Sequence, residues 1–112
     1  MDIWTMAPDG SDRRNLTSTP DWEEDHPAWS PDGMIAFCSR RHGKGEIYLM
    51  DPDGGSQTRI TENDLPDLRP HFSWDGQTIL FASDRVGQAD IHAMDRDGAN
   101  QRQLSNHPSF EV

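Results

Sequence analysis

Short apolar runs separated by turn-forming clusters set the pattern of this chain, and no apolar run exceeds a few residues. "MIAFCS" at 34–39 and "EIYLM" at 46–50 are mostly apolar on both alternating sets of positions, as are "TILFAS" at 78–83 and "DIHAM" at 90–94. Successive side chains of a strand point to opposite faces, so a strand apolar on both sides must be covered on both. "PAWS" at 27–30 and "PHFS" at 70–73 run into the tight turns "PDG" and "WDG". In such turns Asp bonds nearby backbone and Gly accepts positive φ. "TRIT" at 58–61 and "RQLS" at 102–105 keep one apolar residue each, as an outer strand facing water would. Four short strands, a to d, thus follow one another with turn signals about every 8 to 12 residues, the pattern of an antiparallel all-β meander.

The meander repeats. "DIWTMAPDG" (2–10), "EIYLMDPDG" (46–54) and "DIHAMDRDG" (90–98) recur at a spacing of 44, which Leu16, Ile60 and Leu104 also keep. "PAWSPDG" and "PHFSWDG" lie 43 apart because Gln77 adds one residue after the second turn. A four-stranded sheet with a buried middle and a wet outer strand, stacked between copies of itself, is a propeller blade. The expected fold is all-β, built of antiparallel four-stranded propeller blades, about two and a half per chain. Residues 1–25 hold a half blade (strands c and d) with a connecting loop, 26–69 a complete blade, and 70–112 a complete blade ending before the next inner strand.

Composition alone points elsewhere. Leu, Ile, Val and Phe number 18 of 112 residues, with 20 acidic against 10 basic side chains and a net charge of −10. Such values are those of a disordered chain; blades that bury themselves against each other resolve the conflict. The negative charge excludes nucleic acid as the main partner, since phosphate would be repelled. Nothing is apolar for long enough to insert in a membrane, and "MDIWTMAPDG" lacks the basic and apolar regions of a signal peptide. Cys38, the one cysteine, excludes an internal disulfide and reads as a small core residue.

With these motifs in place, "HPAWSPDGMIAFCSRRHGKGEIYLMDPDGGSQTRIT" (26–61) resembles the TolB-like, WD-like β-propeller repeat, from Asp2 to about Ser105. Phe72, Trp74 and His92 depart from that pattern, where it has Trp, Pro and Tyr. The resemblance implies a propeller whose parent is periplasmic or secreted and whose partner peptide binds near the central channel. The same family includes peptidase-associated propellers and metal-bearing lyases. Closed propellers use about four to eight blades. This chain's blade faces are therefore expected to be covered by remaining blades of a longer propeller or by copies of itself.

The meander sorts the connections onto two rims, a–b and c–d turns on one, b–c and d–a loops on the other. The d–a loops are long and acidic, and supply the candidate partner-binding residues Asp21, Trp22, Glu23, Glu24, Asp25 and His26, then Glu62, Asp64, Asp67 and Arg69 one blade on. Against this stands a structural role, with the acids bridging to Arg40, Arg41, Arg69 or Arg85. Trp29, Asp32, Gly33, Phe37 and Arg41, with Phe72, Asp75, Gly76, Phe81 and Arg85, are read as residues of the structural repeat. Each Ser-x-Arg, ending at Arg41 or Arg85, is read as a brace of charge-assisted hydrogen bonds. Asp51 and Asp95 open sequences like a calcium loop, but Gly stands fourth rather than sixth, which excludes an EF-hand. His26, His71 and His107 lie in or beside the d–a to a region, but His26 and His71 do not hold equivalent repeat positions and no close-spaced His pair exists, so no metal or cofactor is expected. No nucleophile–base set emerges. The expected function is a non-catalytic protein- or peptide-interaction module; the alternative is the propeller part of an enzyme, a peptidase or a metal-assisted lyase.

Overall fold

The computed structural model describes residues 2–18, 22–42, 44–62, 67–83 and 90–104, with 42 and 44 described by their backbone alone. All regular structure among them is strand. β1 (Trp4–Thr5) and β2 (Arg14–Asn15) form a two-stranded sheet, the c–d half blade. β3 (Glu24–Trp29), β4 (Ile35–His42), β5 (Lys44–Met50) and β6 (Thr58–Arg59) form a sheet in that order. β7 (Asp67–Phe72), β8 (Thr78–Ser83), β9 (Asp90–Asp95) and β10 (Arg102–Gln103) form the next. Every pairing is antiparallel. Sequential neighbours pair throughout, as short connections require.

Two apolar layers lie between the sheets. Ile3 and Leu16 of the half blade meet Ile35, Phe37, Tyr48 and Met50. Ile47 meets Ile79, Phe81 and Met94, with Ile60 and Phe72 packed at the margin. Period-two alternation explains the division: in β5, Tyr48 and Met50 face one neighbour while Ile47 faces the other. Phe37 stacks on Tyr48, ring centroids 5.7 Å apart. Phe81 and His92 repeat the pair at 5.7 Å, so His92 fills the place of the expected tyrosine.

Strand a begins three residues sooner than its apolar pattern indicates. Glu24 and Asp25 pair with Ser39 and Cys38, and Ala28 and Trp29 with Ala36 and Ile35; the register shifts between the two sets. β7 repeats this, Asp67 and Leu68 pairing with Ser83 and Ala82 before a shift ahead of His71. A bulge of this kind inserts an unpaired residue and bends the strand. His26 (φ 53°) and Arg69 (φ 59°) stand in the two bulges in left-handed conformation.

Candidate functional site

Some of the d–a acids enter the sheet, while Glu23 and Glu62 stay exposed. Glu24 and Asp67, the first residues of β3 and β7, are fully buried. Arg41 Nη2 lies 3.4 Å from Glu24 Oε1 and donates to Gln57 Oε1 at 2.8 Å, while its Nε donates to Ser39 Oγ at 2.9 Å. The guanidinium also lies 4.5 Å from the Tyr48 ring centroid and 5.6 Å from that of Trp22. Trp22 stays 45% exposed beside this internal cation. In the next blade Ser83 Oγ donates to Asp67 Oδ1 at 2.5 Å; Arg85, the counterpart of Arg41, lies outside the described residues. Glu23 pairs with Arg40 at 3.5 Å, and His26 Nδ1 contacts Asp25 Oδ1 at 3.0 Å. Asp21, Asp64 and His107 also lie outside the described residues. Of the predicted set, Glu62 and Arg69 are exposed and make no ion pair among the described residues.

Arg69 holds a backbone conformation that costs an L-residue about 1–2 kcal/mol, with no ion pair among the described residues to offset it. Arg69→Gly is therefore expected to raise stability by about 0.5–1 kcal/mol after the entropy of a freer unfolded chain is subtracted. Chemical denaturation measures this; a destabilised variant would show that the guanidinium supports the fold.

Sequence reasoning missed a second set of inward acids, at the start of each strand c. Asp2 Oδ1 accepts from Thr17 Oγ1 at 3.0 Å, and Asp2 Oδ2 from Asn15 Nδ2 at 3.0 Å. Glu46 accepts from the Thr61 hydroxyl, and its other oxygen lies 3.6 Å from Arg59 Nη2. Asp90 Oδ2 accepts from Gln103 Nε2 at 3.1 Å. The same hydroxyls take up strand backbone, Ile3 N–H donating to Thr17 at 3.1 Å and Ile47 N–H to Thr61 at 2.9 Å. Each acid thus ties strand c to strand d. Its trace in the sequence is an Asp or Glu followed fifteen residues later by Thr or Ser: 2 and 17, 46 and 61, 90 and 105.

The opposite rim is differently built. Asp32 accepts from the Ser30 hydroxyl, and Asp75 Oδ1 from Ser73 Oγ at 2.7 Å and Gln77 N–H at 3.0 Å. The seryl hydroxyls, then Arg96 for Asp32 and the Gln77 amide for Asp75, hold both carboxyls below the usual carboxylate range. Arg96 Nη1 reaches Asp32 Oδ2 and the Gly76 carbonyl, each at 3.1 Å, and lashes the c–d turn of one blade to the a–b turns of both. Between these turns runs a groove of ≈ 300 Å³ lined by Trp29, Ser30, Pro31, Phe72, Ser73 and Trp74. Trp29 is 58% exposed and Trp74 100%.

Among the described residues, the one thiol is not set for nucleophilic attack. Cys38 is buried, and its thiol is pushed up to about 12, first by burial and then by the charge of Asp25; a thiolate is the reactive form. Among the described residues no group of three or more His, Cys, Asp or Glu could hold a metal ion, and no helix is long and apolar enough to cross a membrane.

Stacked antiparallel four-stranded sheets joined as meanders, with inner strands β3 and β7 adjacent, define a segment of a β-propeller. The chain belongs to the TolB beta propeller domain family, which it matches over residues 3–111. It is 47% identical over 47 residues to the Tol-Pal system protein TolB of Geobacter sulfurreducens, covering 42% of this chain and 11% of that protein. It is 39% identical over 55 residues to an uncharacterized peptidase, YuxL, of Bacillus subtilis, covering 47% of this chain and 8% of that protein. The chain therefore spans about a tenth of the length of these relatives. The solved structure of a putative TolB from Agrobacterium tumefaciens superposes with a TM-score of 0.83 at 33% identity, over 93% of this chain and 40% of that one.

Proposed function

We propose that the chain is a non-catalytic propeller segment, an interaction module whose open blade faces are covered by like blades, second copies of the chain when it stands alone. The supporting observation is that repeat-equivalent residues differ in exposure according to whether a blade lies against them. Tyr48 and His92 are buried at 4% exposure each, whereas Trp4, their counterpart, is 58% exposed. Met50 and Met94 are fully buried; Met6 is 62% exposed. On the far side Leu104 is 56% exposed where Leu16 is 8% exposed, and Leu80 is 37% exposed where Ala36 is fully buried. Gly54 and Gly98 press against the Leu16 and Ile60 carbonyls of the preceding blade, whereas a Cβ added at Gly10 would meet nothing within 4 Å.

One end thus offers the surface that takes a neighbour's Ile and Leu, and the other offers those Ile and Leu. A surface that is not self-complementary meets its match head to tail, which closes a ring when the rotation permits. The expected solution mass, by light scattering over a range of concentrations, is a discrete oligomer that Met6→Asp disperses. A monomer at every concentration would overturn self-assembly. The TolB resemblance also supports a periplasmic or secreted parent. The similarity to YuxL supports a second reading, a propeller accompanying a peptidase domain elsewhere in a longer chain. Peptidase activity lost on deleting these blades from such a chain would favour it.

A further inference from the structure

The groove between the a–b turns lies on the rim opposite the d–a loops, and Phe72 alone of its lining packs on an inter-blade layer. Two indole side chains, a proline ring and a phenyl ring line it, and among its lining residues there is no cation. Trp74 stands where the preceding repeat has Pro31, in a turn that needs no aromatic residue, and it is wholly exposed. Turn geometry does not explain it. The Arg96 guanidinium lies 5.8 Å from the Phe72 ring centroid, and Phe72 packs on the second apolar layer, which holds this wall of the groove in place.

Apart from Arg96, which is engaged with Asp32 and the Gly76 carbonyl, the charged groups next to the groove are acidic. Asp75 follows Trp74 directly; it is ionised at neutral pH and has no cationic partner among the described residues. Three residues beyond Trp74 a second cleft of ≈ 370 Å³ begins, lined by Gln77 and Thr78 with Asp95, Arg96 and Asp97. Its one cation, Arg96, is spent on Asp32 and the Gly76 carbonyl. The d–a rim, in contrast, has most of its described acids matched internally by Arg40, Arg41 and His26. An acidic margin beside exposed aromatic faces attracts cations through both charge and ring quadrupoles. Exposed aromatic faces suit proline rings, whose polyproline helix is already extended and loses little entropy on docking.

We propose that this groove takes a proline-containing, positively charged peptide segment in polyproline conformation, the prolines lying against Trp29 and Trp74 and the basic side chains reaching toward Asp75, Asp95 and Asp97. It deepens the reading of the chain as an interaction module by naming the partner's chemistry. The test is calorimetric titration of the full chain with a Pro-Pro-Lys repeat peptide. The Pro-Pro-Glu peptide and a neutral malto-oligosaccharide serve as comparisons, and Trp74→Ala as the variant. Trp74 is fully exposed, so its removal leaves the fold intact. The expected result is saturable binding of the Lys peptide that weakens with salt and falls on the order of tenfold in Trp74→Ala, with the Glu peptide weaker by a similar factor. Equal affinity for the Glu peptide, unchanged affinity in Trp74→Ala, or binding of the oligosaccharide alone overturns the proposal. Solution mass recorded on the same samples separates the two readings: a monomer that binds the Lys peptide in a Trp74-dependent way refutes self-assembly and keeps the groove. A discrete oligomer that binds the Lys peptide equally well without Trp74 does the reverse.

Discussion

Phe37→Ala is expected to remove about 3–5 kcal/mol of stability, a large share of the roughly 5–15 kcal/mol a domain holds. Phe37 is fully buried, stacks on Tyr48, and is the middle of the layer where Ile3 and Leu16 of the half blade meet Ile35 and Met50. Truncation leaves a cavity that neither sheet can collapse into, because β4 is hydrogen-bonded on both sides, to β3 and β5. The loss combines lost burial with this cavity. The half blade should be released first, since its two strands of two residues each contribute little pairing of their own and depend on that layer. Urea unfolding of the variant, with the same measurement on Phe81→Ala, checks this. Phe81 holds the equivalent place in the second layer, beside His92 and Ile47. Similar losses in the two variants are expected. A Phe37→Ala loss under about 1 kcal/mol would mean that the half blade does not cover this face.

Strands b and c were legible because their information is apolar and periodic. Ile35, Phe37, Ile47 and Met50 announce two buried faces whatever surrounds them, and the 44-residue echo orders them into blades. Polar residues placed inside the sheet were not legible. Glu24, Asp25 and His26 look like the end of an acidic loop, and only the bulge beyond Asp25 carries Glu24 in against Ser39 and within reach of Arg41. A buried carboxylate is tolerated when donors converge on it. Arg41, which reaches Glu24 Oε1, stands 17 residues further along the chain, so local pattern is silent about it. Asp2, Glu46 and Asp90 carried a weak trace, the acid and hydroxyl fifteen residues apart, which has meaning once strands c and d are known to end side by side. Exposure was illegible for a different reason. Phe72 and Trp29 hold the same repeat position, but Phe72 packs at the edge of the second layer while Trp29 stays 58% exposed, because that depends on what lies on the next blade. The Trp29–Trp74 groove was hidden in the same way, one residue having been read as repeat framework and the other as a departure from it.

Gly98→Ala is expected to be as damaging as many core truncations, for a reason absent from the apolar pattern. Gly98 closes a c–d turn at φ +92° directly against the preceding blade, where an added Cβ would lie 2.4 Å from the Ile60 carbonyl oxygen. A carbon cannot approach an oxygen so closely, and the obstacle is backbone, which no rotamer change can move aside. The Ile60 N–H is itself donated to the Ile47 carbonyl, so shifting this oxygen disturbs the c–d ladder of the neighbouring blade as well. Gly33 supplies the control. Its φ is +94°, but an added Cβ there would have nothing within 4 Å, so Gly33→Ala carries the backbone strain without the collision. The strain alone amounts to about 1–2 kcal/mol, and forcing packed elements apart adds about 1–3 kcal/mol. Gly98→Ala should then lose about 2–5 kcal/mol and Gly33→Ala about 1–2 kcal/mol. The difference between the variants, read from their urea midpoints, isolates the contact between one blade's turn and the next blade's outer strand. Equal losses would mean that blades two and three stand further apart at this turn. A larger loss at Gly98 fixes the stacking distance between blades, and with it the separation of the a–b turns that Arg96 ties together across the Trp29–Trp74 groove.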